Sequence, residues 1–435
     1  MPIRKSIGPF YPLLLILALP QMALAAQSVD CANESLQTAI DAADHNAVLE
    51  VSGRCEGPFI ITHSLTLIGR SATLSGNEQN PVLTIRNAQD LAPTVALRNL
   101  SITGGWRSGS EAGAAGLTLH NEANGDMVVS LTNVSIHDNR TATDGATESG
   151  GIFTAGLVRL TLADSEIQNN VASGDGGATG GIRIGTQSQL LSLNSTILHN
   201  RSQGDGDGSG GLDCFGHCQL SGGHIEGNRS GLDSRDGAGF TVHPDASLGM
   251  DGVVISDNQT QGELGGAGGG VIRGSATLYD TLLKFNKSQV DDQDQAGGLN
   301  VVGGQLYLLH SELKFNQAVG ESSAGGLRVD GGRVQMENSL IISNQGVTSG
   351  GILLEGAAQL LSFDSQVRRN VGDTGGIRLT DQSQLRLDNG RIKENSGTNH
   401  GGLSLEDEAT ATLPGSRISG NSPDNCSGLM DPACQ

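Results

Sequence analysis

Apolar and polar positions follow a recurring phrase along most of the chain. An apolar residue, four variable positions, a second apolar residue, two more positions and an Asn are followed, after a polar loop, by Gly-Gly and an apolar-x-apolar triplet. Residues Tyr307–Asn316 and Gly325–Val329 show it most plainly. The apolar pieces are three to five residues long and alternate with period two, so each predicts a short strand with inward and outward positions.

Two markers show that the phrase is periodic. Both advance by 25 to 35 residues, with a mean near 28. The Asn marker falls at 139, 170, 200, 228, 258, 286, 316, 344, 370, 395 and 421. The second Gly falls at 116, 151, 181, 211, 239, 270, 298, 326, 351, 376 and 402. A fixed period of this size is typical of stacked repeats, and short strands without helices predict an all-β parallel β-helix, a single-stranded solenoid of roughly 13 coils.

Each marker has a physical reason in such a stack. Coils lie about 4.8 Å apart, so Asn side chains in equivalent positions can hydrogen-bond amide to amide along the rod. The Gly-Gly pair is expected to permit a tight corner into the next strand.

The two ends of the chain depart from the repeat. Leu36, Ala39, Ile40 and Ala43 have helical spacing and predict a short amphipathic helix that caps the first coil. We therefore expect an N-terminal cap with irregular first coils over 26–111, regular repeats over 112–412 and a C-terminal cap over 413–435.

The first 25 residues are predicted to be a cleaved signal peptide. Arg4 and Lys5 precede the apolar run 13–19, and Ala23–Ala25 supplies small residues for cleavage. The alternative, a membrane anchor, is disfavoured because the apolar run is too short to span a bilayer. We expect export to the periplasm, the cell surface or the medium, without membrane insertion.

Charge excludes one class of partner. Cleavage removes two of the 26 basic residues and none of the 46 acidic ones, so the formal charge falls from −20 to −22. Such a charge disfavours nucleic acid as a partner.

The six cysteines of the exported chain favour disulfides. Proximity suggests Cys31–Cys55, Cys214–Cys218 and Cys426–Cys434, which would staple both ends of the stack, although six cysteines allow 15 pairings.

The repeats resemble those of known exported proteins. The pieces Lys284–Asn286 and Lys314–Asn316, with the Gly-Gly-apolar steps, resemble the repeats of polymorphic outer membrane proteins. More broadly they resemble bacterial right-handed parallel β-helix proteins of the pectin-lyase-like superfamily, and Cys31–Ile40 is similar to the opening of many of them. The resemblance implies a right-handed β-helix. The matching residues build coils, so it implies little about function.

Catalytic motifs of that superfamily are incomplete here. Arg391–Lys393 and Asp291–Asp292 match two pieces of polygalacturonases, whose Asn-Thr-Asp and Gly-His-Gly pieces are missing. Ile392 is also the second apolar residue of its repeat, so coil building explains the first match. A lyase would need a carboxylate cluster beside a basic residue, and the spacing names no such cluster.

Several residues are nevertheless candidates for binding. The outward positions after Gly-Gly carry Arg183, Arg328 and Arg378, which with Trp106 are candidate ligand contacts. Tyr279 and Tyr307 should also point outward, although aromatic residues are too few for a deep aromatic-lined cleft.

One loop could hold a metal ion. Asp205, Asp207 and Ser209 alternate on a Gly-rich turn, with Asp213 following, and such oxygen ligands suit Ca²⁺. The simpler interpretation is a flexible acidic loop, because Gly216 stands where a bidentate Glu is needed. Eight of the ten loops between markers carry acids, which could bind cations together or serve only solubility.

Two functional interpretations remain. We favour an exported or cell-surface β-helix that binds a polysaccharide, a surface component or a protein. The alternative is a polysaccharide lyase or glycoside hydrolase of the pectin-lyase-like group, with catalytic residues that the sequence does not identify.

Overall fold

The computed structural model describes residues 26–87, 91–143, 145, 147–174, 176–204, 207–231, 234–261, 266–289 and 294–434. Over these residues the chain winds as a right-handed parallel β-helix of about 12 turns, which confirms the predicted fold class. The pairings between its strands are parallel and join equivalent strands of successive turns. The predicted signal peptide lies outside the described residues.

Two of the three long faces of the rod belong to one 26-stranded sheet. The first face is made by the first strand of each turn: Gln27–Asp30, Met127–Thr132, Val158–Ala163, Gln189–Leu193, His217–Ser221, Ser247–Asp251, Ser275–Tyr279, Gln305–Leu309, Arg333–Glu337, Gln359–Phe363, Gln384–Asp388 and Thr410–Thr412. The second face is made by the next strand: Ser135–His137, Glu166–Gln168, Thr196–Leu198, His224–Glu226, Val254–Ser256, Leu282–Lys284, Glu312–Lys314, Leu340–Ile342, Gln366–Arg368, Arg391–Lys393 and Arg417–Ser419. Three longer strands join this sheet in the first turns: Ala47–Glu56, Leu65–Ser75 and Thr94–Thr103.

The third face is a 14-stranded sheet. Its strands are Phe59–Ile61, Leu83–Arg86, Leu117–Asn121, Ile152–Gly156, Ile182–Ile184, Leu212–Cys214, Phe240–Val242, Gly270–Ile272, Leu299–Val302, Leu327–Asp330, Ile352–Glu355, Ile377–Leu379, Leu403–Leu405 and Cys426–Ser427.

Short strands line the corner that follows the second face. Eight form one sheet: Trp106–Ser108, Arg140–Ala142, Val171–Ala172, Arg201–Ser202, Arg229–Ser230, Gln259–Thr260, Lys287–Ser288 and Gln317–Ala318. The remaining strands are Gly113–Ala114, Glu148–Ser149, Ala178–Thr179, Val371–Thr374 and Ser396–His400.

The core is a set of apolar columns inside the rod. Leu306, Val334 and Leu360 follow one another in register in successive turns, and all three are buried. Burial of each such side chain stabilises the fold by about 1.5–3 kcal/mol relative to exposure. The period-two alternation of the sequence therefore becomes one inward residue in every two.

The Asn marker forms a continuous internal ladder, as predicted. From Asn139 to Asn421, each side-chain nitrogen donates to Oδ1 of the next Asn at 2.9 to 3.1 Å. The same nitrogen also donates to a main-chain carbonyl of the preceding turn, as Asn286 does to Ile255 at 3.0 Å. The ladder thus satisfies amides and carbonyls that are closed off from water.

The Gly marker is required by close approach rather than by a left-handed backbone. A Cβ on Gly181 would lie 2.4 Å from the carbonyl oxygen of Gly211 in the next turn and 3.2 Å from Nδ2 of Asn200. The prediction of Gly270 as a marker is wrong by one residue, because Gly269 pairs with Gly239. Gly270 instead takes the apolar position beside Phe240, because a Cβ there would lie 2.4 Å from the Phe240 ring.

Disulfides close both ends of the rod, as predicted, and a helix covers the first turn. The helix Leu36–Ala42 buries Leu36, Ala39 and Ile40 against the first turn, and Ser35 caps its N-terminus. A short 3₁₀ helix, Pro432–Cys434, lies at the other end. All three predicted disulfides are present, and such bonds suit an oxidising compartment. No helix among the described residues is long and apolar enough to cross a membrane.

Candidate functional site: a polar groove and a buried carboxylate cluster

Two adjoining cavities lie on the first face. One has a volume of about 1200 Å³ and runs from Val128 to Leu309, and the other, of about 550 Å³, runs from Gln305 to Thr412. They meet where strands Ser275–Tyr279 and Gln305–Leu309 pair. Both lie along the rod on the same face, and we call them together the first-face groove.

The groove is lined by a mixture of polar and apolar side chains, among them the three arginines Arg159, Arg333 and Arg386. Glutamines recur on its strands: Gln189, Gln219, Gln305, Gln335, Gln359 and Gln384. An amide side chain offers both a donor and an acceptor to a hydroxyl-rich ligand. The glutamines belong to two outward columns, and both columns vary from turn to turn.

Two tyrosines stand where the cavities meet. Tyr279 and Tyr307 are 42% and 39% exposed, so both point outward as predicted. They lie on neighbouring strands, with Tyr307 opposite Thr277. The ring of His310 packs edge-on against Tyr279 at 5.5 Å between centroids. The middle of the groove thus presents two exposed aromatic rings among amides.

The outward positions of the third face do not form an open surface. Asp213, Thr241, Asn300, Arg328 and Leu353 are all buried, although their side chains point away from the core. Loops preceding the strands fold over them. For example, the hydroxyl of Ser209 donates to Oδ1 of Asp213 at 2.7 Å.

The three predicted binding arginines are engaged by these contacts. Arg183 stacks over the ring of Phe215 at 4.2 Å. Arg328 is 4% exposed and pairs with Asp294 at 2.6 Å, with Glu355 at 2.8 Å and with Asp330 at 3.7 Å. Arg378 pairs with Glu406 at 2.8 Å and Asp373 at 3.3 Å. The three guanidinium groups lie on one face but at separate places, each beside carboxylates of this chain.

Trp106 lies elsewhere on the rod, at the corner that follows the second face. It begins the short strand Trp106–Ser108, which pairs with Arg140–Ala142. It is half-buried and borders two small cavities at the N-terminal part of the corner sheet. The structure therefore does not bring it together with the three arginines.

A cluster of two carboxylates and an imidazole is buried on the third face. One potential ligand atom from each of Asp213, Asp236 and His243 lies within 4.8 Å of the others. Nε2 of His243 is 3.3 Å from Oδ1 of Asp213. The His243 ring stacks on Phe215, with 3.5 Å between centroids. Sequence reasoning did not find this cluster, because Asp236 and His243 come from the next turn.

The two carboxylates of the cluster differ in their protonation. Burial opposes ionisation of Asp213, but hydrogen bonds from His243 and Thr179 and the charges of His243 and Arg183 together lower its pKa. Burial and then repulsion from Asp213 raise the pKa of Asp236 to about 6, against the attraction of Arg273. Oδ2 of Asp236 is buried and has no hydrogen-bond partner among the described residues.

Neighbouring arginines already balance the charges of the two carboxylates, so we interpret this cluster as structural. Arg273 pairs with Asp236, and Nη1 of Arg183 lies 3.8 Å from Oδ2 of Asp213. Two cations thus already accompany two carboxylates. A divalent ion would add charge to a site that is balanced without it.

The Ca²⁺ loop expected from the sequence is only partly assembled. Ser209 and Asp213 do meet, but Ser209 donates to Asp213 from both its hydroxyl and its main-chain nitrogen. Asp207 is exposed and accepts from the main-chain nitrogen of Arg235 at 3.0 Å. Asp205 lies outside the described residues.

Acids of the other loops are used in the same way. Asp294 and Asp373 pair with arginines, while Glu148 accepts hydrogen bonds from Thr143 and the main chain of Gly174. These contacts use the carboxylates to fasten loops onto the rod. A collective cation-binding edge therefore lacks support among the acids that the structure describes.

Part of the chain matches a protein-family model. Residues 277–430 match the family model described as right handed beta helix region. This part is a right-handed β-helix by sequence as well as by structure. Among solved structures, the A-module of the mannuronan C-5 epimerase AlgE6 of Azotobacter vinelandii is similar, with a TM-score of 0.42 and 12% identity over 87% of this chain and 94% of that one. No curated protein matches the sequence.

Proposed function

We propose that this protein is an exported, non-catalytic β-helix that binds a polysaccharide along the first-face groove. The main support for this proposal is that the groove extends over successive turns. An extended polymer can lie in a long shallow groove and make similar contacts on each turn, which sums weak contacts into useful affinity.

The lining favours a sugar over other extended ligands. Glutamine amides can donate to and accept from hydroxyl groups, and exposed aromatic rings provide apolar faces for sugar rings. Tyr279 and Tyr307 supply such rings at the middle of the groove. These cavities are shallow and do not resemble a deep pocket for a small molecule.

The groove favours binding over cleavage. Among the described residues that line the two cavities, Asp251 is the only carboxylate. Most glycoside hydrolases use two carboxyl groups that flank the scissile bond. The buried cluster at Asp213 has two, but both accompany arginines beneath loops.

Export supports the same function. The three disulfides suit an oxidising compartment, where structural polysaccharides are found. We propose that residues 1–25 direct this export and are then removed.

The experiment is to measure binding and turnover on the same polymers. Purified protein is titrated with a panel of neutral and acidic polysaccharides, and reducing and unsaturated ends are followed in parallel. We expect saturable binding without new ends. Release of ends in proportion to protein would instead favour the lyase or hydrolase, and lack of binding to every polymer would overturn the proposal.

A further inference from the structure

Cations are placed opposite one another along the second face. Lys284 pairs in register with Lys314, Arg368 with Lys393, and Arg391 with Arg417. Paired residues of neighbouring strands lie about 4.8 Å apart, and like charges directly opposite are destabilising. We call the six residues Lys284, Lys314, Arg368, Arg391, Lys393 and Arg417 the basic face.

Opposed acids do not show the same pattern. Among the strand pairings of the described chain, Asp330 and Glu355 are the one such pair, and Arg328 bridges them. The strands themselves carry more basic than acidic residues, and Arg201 and Arg229 form a further opposed pair at the corner. The opposed cations of the basic face therefore lower the stability of the fold.

The cations of the basic face are poorly neutralised. Lys314 pairs with Glu312 at 2.8 Å, and Lys393 lies 3.6 Å from Glu394. The other four members form no ion pair with any residue that the structure describes. Nε of Arg368 is buried without a hydrogen-bond partner among those residues. Arg391 and Arg417 are exposed.

Lysine is concentrated at this place. The chain has five lysines, and the four within the described residues are Lys284, Lys287, Lys314 and Lys393. Three belong to the basic face, and Lys287 begins a corner strand three residues after Lys284. A strongly acidic molecule thus has all four of its described lysines on or beside the second face.

Two exposed phenylalanines border the basic face. Phe285 and Phe315 are 46% and 48% exposed, and their rings stack at 5.3 Å between centroids. Both have a left-handed backbone, with φ of 57° and 56°, a conformation that bulky residues rarely adopt. Asp257 and Ser343 hold the equivalent positions before the Asn marker in the neighbouring turns. The left-handed backbone is common to this position in most turns, so the exposed rings are what distinguishes the turns of Phe285 and Phe315.

We propose that the basic face binds an anionic linear polysaccharide, one with carboxylate or sulfate groups along its chain. This rests on the proposed function and names the class of polymer. The cations occupy two groups of turns, 284–314 and 368–417, separated by strand Leu340–Ile342, which carries none. They can meet charges at several places along one polymer, while Phe285 and Phe315 provide a surface for a sugar ring.

The basic face and the first-face groove can serve one polymer. In the turn of residues 305–314, Tyr307 lies in the groove and Lys314 on the basic face. Only the left-handed turn at His310 separates their two strands. Nucleic acid fits less well, because the net charge of −20 repels a dense polyanion beyond the local patch.

The test compares two double variants with a matched control. Lys284→Gln with Lys314→Gln and Arg391→Gln with Arg417→Gln each remove two charges from the basic face. Arg86→Gln with Arg98→Gln removes two exposed charges elsewhere. The probes are polygalacturonate, dextran sulfate, unmodified dextran, phosphatidylglycerol vesicles and single-stranded DNA. Thermal melting confirms that each variant is folded.

We expect polygalacturonate or dextran sulfate to bind with an affinity that falls with salt. Either basic-face variant should weaken this binding by at least about tenfold, since charge-assisted contacts are lost, and the control should bind as the native protein does. Equal loss in the control, or polyanion binding that no variant changes, would overturn the inference. Binding of neutral polysaccharides alone would overturn it but leave the proposed function standing. Binding of vesicles or DNA alone would reassign the basic face and overturn both proposals.

Discussion

Asn286 and Asn316 occupy the same position in successive turns, and Nδ2 of Asn286 donates to Oδ1 of Asn316 at 3.0 Å. Oδ1 of Asn286 in turn accepts from the side chain and main chain of Asn258. Each amide is therefore held on both sides, so the ladder couples every turn to its neighbours.

Replacing Asn286 with Ala should destabilise the rod. The change removes the hydrogen bond to the carbonyl of Ile255 and the acceptor of the main-chain nitrogen and side-chain amide of Asn258, at a cost of about 2–4 kcal/mol. Thermal unfolding followed by circular dichroism checks this. Gln289→Ala, at an exposed loop position, is the control, and similar melting shifts in both variants would argue against the ladder's role.

Replacing Gly181 with Ala should also destabilise the rod. Its Cβ would lie 2.4 Å from the carbonyl oxygen of Gly211, so adjacent turns must separate, and overpacking of this kind costs about 1–3 kcal/mol. The matched change is Gly125→Ala, where a Cβ meets nothing within 4 Å. The difference between their melting temperatures is the measurement; equal values would show that close approach is not why glycine is needed.

Replacing Asp236 with Asn should change how stability depends on pH. The pKa of Asp236 is raised to about 6 from 3.8, so the folded state holds this proton more tightly than the unfolded state. Stability from this group is present at pH 4 and is lost as pH rises through 6. Asn cannot ionise, so the variant should gain on the native protein by roughly 2–3 kcal/mol between pH 4 and pH 8.

Melting curves of both proteins at several pH values give this difference directly. Asp257→Asn, which changes an exposed acid, controls for the loss of one charge. A constant difference between Asp236→Asn and the native protein across the range would show that Asp236 is ionised at all these pH values.

The fold could be predicted from the sequence because its signals are local and repeated. The Asn and Gly markers recur in every regular turn, so an error at one marker does not change the predicted fold. The error at Gly270 arose because Phe240 fills the space of two side chains. Spacing cannot show this exchange of volume between neighbouring turns.

The candidate sites were harder to predict because they depend on what lies over a strand. Arg328 points away from the core, as predicted, but Asp294 from a preceding loop covers it. Asp236 meets its partner Arg273 across 37 residues. The basic face could have been found by aligning the repeats and noting that Lys284 and Lys314 fall in one column.

The most direct test of the central claim is the affinity of groove variants for a polysaccharide that the native protein binds. Tyr279→Ala with Tyr307→Ala removes both exposed rings of the groove, while Trp106→Ala removes an aromatic side chain outside it. Isothermal titration should show affinity weakened by about tenfold or more in the tyrosine variant, given about 1 kcal/mol or more for each ring, and little change in the Trp106 variant. Unchanged affinity in a folded tyrosine variant would contradict binding along the first-face groove.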